Sequence, residues 1–506
     1  MFQKEKLSRR SFLKGAVASA AIVGFDLSTR RWLTESGLQT AVAIAPNFPT
    51  FNGTLYTDPT GSAELDAAAD DFGHIVSNRP LAVLDPADVG DIVAMVQFAR
   101  HHKIAVSARG QGHATQGQSQ NDGGVVINMS TLNTIHSVSA TEAHVDGGVT
   151  WYDLLEVTAP QGLTPPTLTD YVHLSVGGTL SVGGIGGQGF IHGPQIENVN
   201  EITVVTGEGD LRTCSPTHRR RLFNAVRAGL GQFGIIVEAK VALTAAPQMV
   251  RFYNLPYLDV QTFMADQDFL IGTNRFDYVE GFALDDGNNG WLFLIEAVKY
   301  YNPGDVVDDA ANMAGLNFLP GGETLEDRPF HNPAFDPFNA ATHDFTNRVS
   351  ILVETVLKPF GLWDFPHPWY NAFVHTSEAG TYIGDIFANK TPADLGPGGV
   401  AIIYPFNTNK FSAPYMRVPR GEPTFFSVAL LKTTAPVQAL IDAEIADNAQ
   451  LRDDLVAVDG KRYPIDSVPM TRQDWRTHFR PRWGQFRSDK RRFDRKNIMT
   501  PGQGIF

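Results

Sequence analysis

A short apolar strand, Ile104 to Ala108, runs straight into Arg109-Gly110-Gln111-Gly112-His113, and no other stretch limits the fold of this chain so tightly. Glycines at 110 and 112 let the backbone leave the strand in a loop that can approach a bound group closely. The consecutive N–H groups of such a loop form a concavity for an anion such as a pyrophosphate. The Gly-Lys-Ser/Thr ending of a P-loop is missing, which argues against a nucleoside triphosphatase. The local pattern around His113 favours a core or capping histidine over a covalent attachment point. Upstream, Asp88 can cap a helix whose Val89, Ile92, Val93, Val96 and Ala99 share one face, with Lys103 leading into the strand.

The rest of the chain divides by texture. With 506 residues, two to three domains are expected, and 43% hydrophobic with 19% charged residues is a globular balance. A strand is predicted at Val125–Met129. Glu201–Thr206 and Leu211–Cys214 flank Gly207-Glu208-Gly209-Asp210 like a hairpin, and Phe233–Leu243 is a long strand candidate ending at Ala245-Ala246-Pro247, where a first domain closes. From residue 248 aromatic and apolar segments alternate with Pro/Gly/Asn loops, the pattern of a second, α+β domain with an antiparallel sheet. The end, from about 465, is polar and basic.

Ser8-Arg9-Arg10-Ser11-Phe12-Leu13-Lys14 followed by the apolar run Gly15–Phe25 reads as a twin-arginine export signal, with small-x-small cleavage sites at Ala41-Val42-Ala43 and Ala43-Ile44-Ala45. The expectation is therefore a leader over 1–45 and a periplasmic or secreted protein. Residues 1–45 carry seven basic and three acidic side chains, so removing them takes the formal charge from −13 to −17. That balance disfavours nucleic acid and anionic lipid as partners, and no later run is long enough to span a bilayer. Cys214 is single and cannot form an intrachain disulfide.

Other motifs read more plainly. Gly184-Ile185-Gly186-Gly187-Gln188-Gly189 fits a bare dinucleotide fingerprint, but Gly193-Pro194 would stop the required helix at once, so a loop of close backbone approach is expected instead. Asp170, after the Pro165-Pro166 turn, is by default a loop cap. His101-His102 suits a solvated helix end, no HExxH, CxxC or GxSxG occurs, and no metal site is expected. The run Arg487–Lys496 includes Asp489 and Asp494 and suits a solvated face.

Taken in order, Asp71-Phe72-Gly73, the loop with Gly117-Gln118, Thr169-Asp170-Tyr171, Val176-Gly177-Gly178-Thr179-Leu180-Ser181, His192-Gly193-Pro194-Gln195 and Gly229-Leu230-Gly231-Gln232-Phe233-Gly234 resemble the cytokinin dehydrogenases, within the vanillyl-alcohol-oxidase-like flavoproteins. In the middle region Phe276-Asp277-Tyr278-Val279-Glu280-Gly281, His367-Pro368-Trp369-Tyr370-Asn371 and Ile403-Tyr404-Pro405 carry the likeness to that family, and Pro501-Gly502-Gln503 closes it.

The resemblance implies an α+β, two-domain flavoprotein. Its FAD-binding domain is split over 46–247 and 465–506, and its substrate domain, 248–464, is an antiparallel sheet covered by helices. It implies FAD attached covalently through His113 and lined by Gly110, Gly112, Ala114, Gln118, Asp170, Ser175, Ser181, Ile185, Ile236, Tyr463 and Gln503. Asp170 and Glu280 are the implied catalytic residues, and Glu280 and Trp369 the implied substrate wall. Ala114 stands where Ser is common, Leu168 where plant members carry Trp, and no Cys lies near Ser175–Gly184, so a single flavin link is implied. The implied reaction oxidises an N6-isoprenoid adenine at the carbon beside nitrogen, giving adenine and an aldehyde, with a quinone-like compound or oxygen as the electron acceptor. The competing expectations are an alcohol or carbohydrate oxidase on the same scaffold, and a non-catalytic protein that binds an adenine derivative.

Overall fold

The helix Val89–His102 begins where Asp88 accepts the N–H of Asp91 and ends where Lys103 turns left-handed at φ 55°. Ile104 is used in that cap, its N–H bonding back to the Ala99 carbonyl, so the following strand starts two residues later than its apolar run, at Val106–Arg109. The computed structural model describes residues 22–34, 48–58 and 61–506. The twin-arginine motif and both cleavage sites lie outside these residues. Within the expected leader, Ile22–Asp26 and Arg31–Thr34 form a hairpin whose Phe25 is buried against Phe98. No helix among the described residues is long and apolar enough to cross a membrane.

Three sheets position the site. Ala82–Asp85, Val125–Asn128 and Val106–Arg109 are parallel neighbours, with Thr54–Tyr56 antiparallel at the edge. A five-stranded antiparallel sheet runs Leu211–Cys214, Val199–Thr206, Gly234–Ala242, Glu142–Asp146, Ile135–Val138. The expected hairpin is there, Val205 pairing with Leu211 around Gly209 at φ 77°.

The third sheet has eight antiparallel strands in the order Thr324–Pro329, Met249–Tyr257, Trp291–Tyr301, Tyr278–Asp285, Val400–Asn407, Thr424–Leu431, Tyr370–His375, Lys461–Arg462. Helices Val260–Thr273, Thr376–Asn389 and Gln438–Ala457 pack on one face. Strand alternation divides the residues between the faces: Ala401 and Ile403 join the helix-covered core, while Val400, Ile402 and Tyr404 turn to a cavity on the other side. The expected α+β architecture with a helix-covered antiparallel sheet is therefore present. From Lys461 the chain leaves this sheet and returns to the parallel one, where Val106 donates to Ile498 and Thr500 donates back to Val106.

Candidate active site

A cavity of about 440 Å³ lies between the glycine loop and the eight-stranded sheet. The loop residues Gly110, Gly112, His113, Ala114 and Gln118 line it, as do Asp170, Ser175, Ser181, Ile185 and Ile236. Tyr463 and Gln503 reach it from the far end of the chain, and Trp369 from the middle region. These residues are distant in sequence and share one chamber.

Glycine is required in this wall by space as well as by backbone freedom. A Cβ on Gly110 would stand 2.1 Å from Ser175 Oγ, and one on Gly502 would stand 2.1 Å from the Gly117 carbonyl. Asp71 holds the loop from behind, accepting N–H bonds from Gly117 (2.7 Å) and Gly73 (3.1 Å), and burial pushes its carboxyl up to about 6. The loop of close approach over 184–189 is also realised: Cβ atoms on Gly186 and Gly187 would meet the Leu168 carbonyl at 1.9 Å and the Tyr278 ring at 2.4 Å. Its helix is one turn, Gly189–His192, and stops before Pro194. These glycines let the 168–170 segment and Tyr278 close on each other.

His113 faces the cavity and stacks on Phe72 at 4.1 Å, while Phe72 stacks on His367 at 4.0 Å on its other side. Burial takes both imidazoles down to about 4, so both are neutral at pH 7 and His113 keeps a free lone pair. Trp369 lies 5.7 Å from His113.

Asp170 is not a loop cap. Its Oδ1 accepts from Arg348 at 2.8 Å and from the Tyr278 hydroxyl at 3.0 Å, and among the described residues its Oδ2 takes no hydrogen bond. Arg348 also lies 3.3 Å from Glu296 and 3.7 Å from Glu280, with Tyr278 and Phe345 beneath its guanidinium. Burial opposes its charge, yet Tyr278, Asp170, Glu296 and Glu280 hold it well above its usual range.

Glu280, expected on the substrate wall, sits instead one layer behind, 1% exposed and bonded to the Tyr278 hydroxyl. It pairs across the sheet with Glu296. Burial, then the Asp170 charge, pushes its carboxyl well above the usual range. The Tyr278 hydroxyl lies between Glu280 and Asp170, so its single phenolic hydrogen serves two carboxyl groups. Arg348 and Glu296 were not singled out from sequence, and Tyr278 stood only within a family motif, because no local pattern marks an arginine that meets its partner 178 residues away.

The chamber suits FAD. Glycine backbone lines one end, a neutral histidine stands in the wall, and the substituents that would fill the space are missing. A family model described as "FAD binding domain" matches residues 80–215, and one described as "Cytokinin dehydrogenase 1, FAD and cytokinin binding" matches 247–289 and 283–506. The protein is an FAD-dependent oxidoreductase.

Among curated relatives, an "uncharacterized oxidoreductase ORF5 in fasciation locus" of Rhodococcoides fascians is 37% identical over 89% of this chain and 98% of its own. Cytokinin dehydrogenase 9 of Oryza sativa subsp. japonica is 35% identical over 88% and 89%, and cytokinin dehydrogenase 4 of Arabidopsis thaliana 34% over 94% and 95%. The chain belongs to the cytokinin dehydrogenase family.

Proposed function

We propose that this protein oxidatively cleaves the N6 side chain of isoprenoid adenines, releasing adenine and an aldehyde, with Asp170 as the group that orients the amine. The observation that carries this reading is a carboxylate with one oxygen engaged and one free, opening on an apolar chamber. Arg348 and Tyr278 fix Oδ1, so Oδ2 is left to accept the N–H of the substrate amine. Phe282, Val349, Leu352, Val353 and Ile402 line the same chamber and suit an isoprenoid tail, whereas a sugar would need several polar partners there. Positive charge growing on nitrogen as hydride leaves the neighbouring carbon is stabilised by the fixed carboxylate. Bound FAD supplies the two-electron acceptor, at its N5, and water then hydrolyses the imine product. We assign His113 as the covalent attachment point, since it is neutral and faces the cavity. The electrons leave to a quinone-like compound or oxygen, and the protein works after export through its twin-arginine leader.

Anaerobic titration with isopentenyladenine tests the reaction: the flavin bleaches and adenine appears. Bleaching by alcohols or sugars but not by isopentenyladenine would overturn it. Flavin fluorescence should stay with the denatured polypeptide and be lost from it in His113→Ala; free flavin released from denatured wild type refutes the link.

A further inference from the structure

On the five-stranded sheet, three neighbouring strands bring His136, His144 and Glu238 together, with one nitrogen or oxygen from each within 4.8 Å of the others. Strand register explains the meeting. Ile135 pairs with Val145 but Ser137 with His144, so His136 is the extra residue of a bulge, which re-aims its side chain. His144 and Asp146 share a face, and Glu238 lies directly opposite Asp146.

A carboxylate already orients one imidazole. His136 Nε2 lies 2.7 Å from Asp146 Oδ1, while Asp146 Oδ2 accepts the Thr134 N–H at 2.9 Å and its side chain is 8% exposed. With Nε2 donating to Asp146, His136 presents Nδ1 as a lone pair, the carboxylate–histidine arrangement typical of metal ligands. The two rings are 4.6 Å apart, close enough for both to reach one ion. Lys240, opposite His144, is engaged by Glu201 at 2.9 Å.

We propose that His136, His144 and Glu238 bind one divalent transition-metal ion of the zinc class, with Asp146 as positioning carboxylate. Two imidazoles and one carboxylate leave a fourth position for water, and this donor set selects zinc, copper or nickel over magnesium or calcium. Side chains 36%, 31% and 27% exposed give the ion access. His144 Nε2 and Glu238 Oε2 already stand 3.1 Å apart, near the roughly 3.4 Å edge of a tetrahedral site. The ion would tie the edge strand Ile135–Val138 to Glu142–Asp146 beside it and to Gly234–Ala242 beyond, whose Ile236 lines the cavity. The assignment does not depend on the reaction.

Tag-free full-length protein, stripped with a chelator and dialysed against Zn²⁺, tests it. Wild type should retain one ion per chain and gain in Tm. His144→Ala and Glu238→Gln should lose both effects, and Asp146→Asn should bind about 10- to 100-fold more weakly. Co²⁺ added to wild type should give the visible bands of a tetrahedral nitrogen–oxygen site, a readout that needs no variant. Absence of a stoichiometric ion and of those bands, or unchanged stoichiometry in both His136→Ala and His144→Ala, overturns the proposal.

Discussion

On the glycine-loop side of the cavity the closest contacts involve backbone, whereas on the sheet side they run from side chain to side chain. Gly110, Gly186 and Gly502 leave room for nothing larger than hydrogen, and Asp71 braces the loop through two peptide N–H groups. Across the cavity, Arg348 gathers Asp170, Glu280 and Glu296 around itself with Tyr278 among them. The first wall is set by volume. The second is set by charge balance, because removing one member strands the others away from water.

Experiments can break or sharpen this contrast. Asp170→Asn keeps the volume and removes the charged acceptor, so turnover should fall by about 10²- to 10⁴-fold with flavin content unchanged, read by stopped-flow reduction. Unaltered turnover would sever the sheet wall from the chemistry. Arg348→Met should lower stability by about 3–5 kcal/mol in denaturant titration, since Asp170 and Glu296 lose their cation. Adding Glu296→Gln should recover part of that loss; a second substitution that merely adds its own cost would argue against charge balance.

Gly187→Ala tests volume, for its Cβ would press on the Tyr278 ring. A loss of about 1–3 kcal/mol is expected, with slower turnover as Tyr278 leaves Asp170. Gly272→Ala, which meets no atom within 4 Å, is the control that should cost nothing.

The pH-dependent effect concerns His367, which joins the walls through Phe72. Its imidazole falls from 6.5 unfolded to about 4 folded, so between these values the unfolded chain holds the extra proton. Stability from this group is complete above pH 6.5 and is lost as pH falls toward 4, by about 1.4 kcal/mol per pH unit. The gap between wild type and His367→Gln should therefore narrow over that window in urea titrations at stepped pH; a constant gap would mean His367 is not held neutral.

The two walls also differed in how far they could be read from sequence. The part of the loop wall that runs from Asp88 to His113 is local, a cap, a helix, a strand and then glycines, each type demanded by backbone geometry, whereas Gly186 and Gly502 join it from far along the chain. The architecture followed from the same punctuation, with errors of one or two residues where a cap such as Lys103 consumed the start of a strand. The charge cluster is non-local. Tyr278 meets Asp170 across 108 positions, and Glu280 meets Glu296 only through strand pairing. Alternation does put Tyr278, Glu280 and Phe282 on one face, yet depth along that face depends on which neighbour is larger, and Tyr278 stands in front. His136 was equally hidden, because a bulge cannot be read from the residues it displaces.

Residues 498–503 lie against Val106, with Gln503 in the cavity wall. A peptide tag or a protease cut placed there would therefore act on the cofactor chamber itself, however far from the glycine loop it lies in sequence.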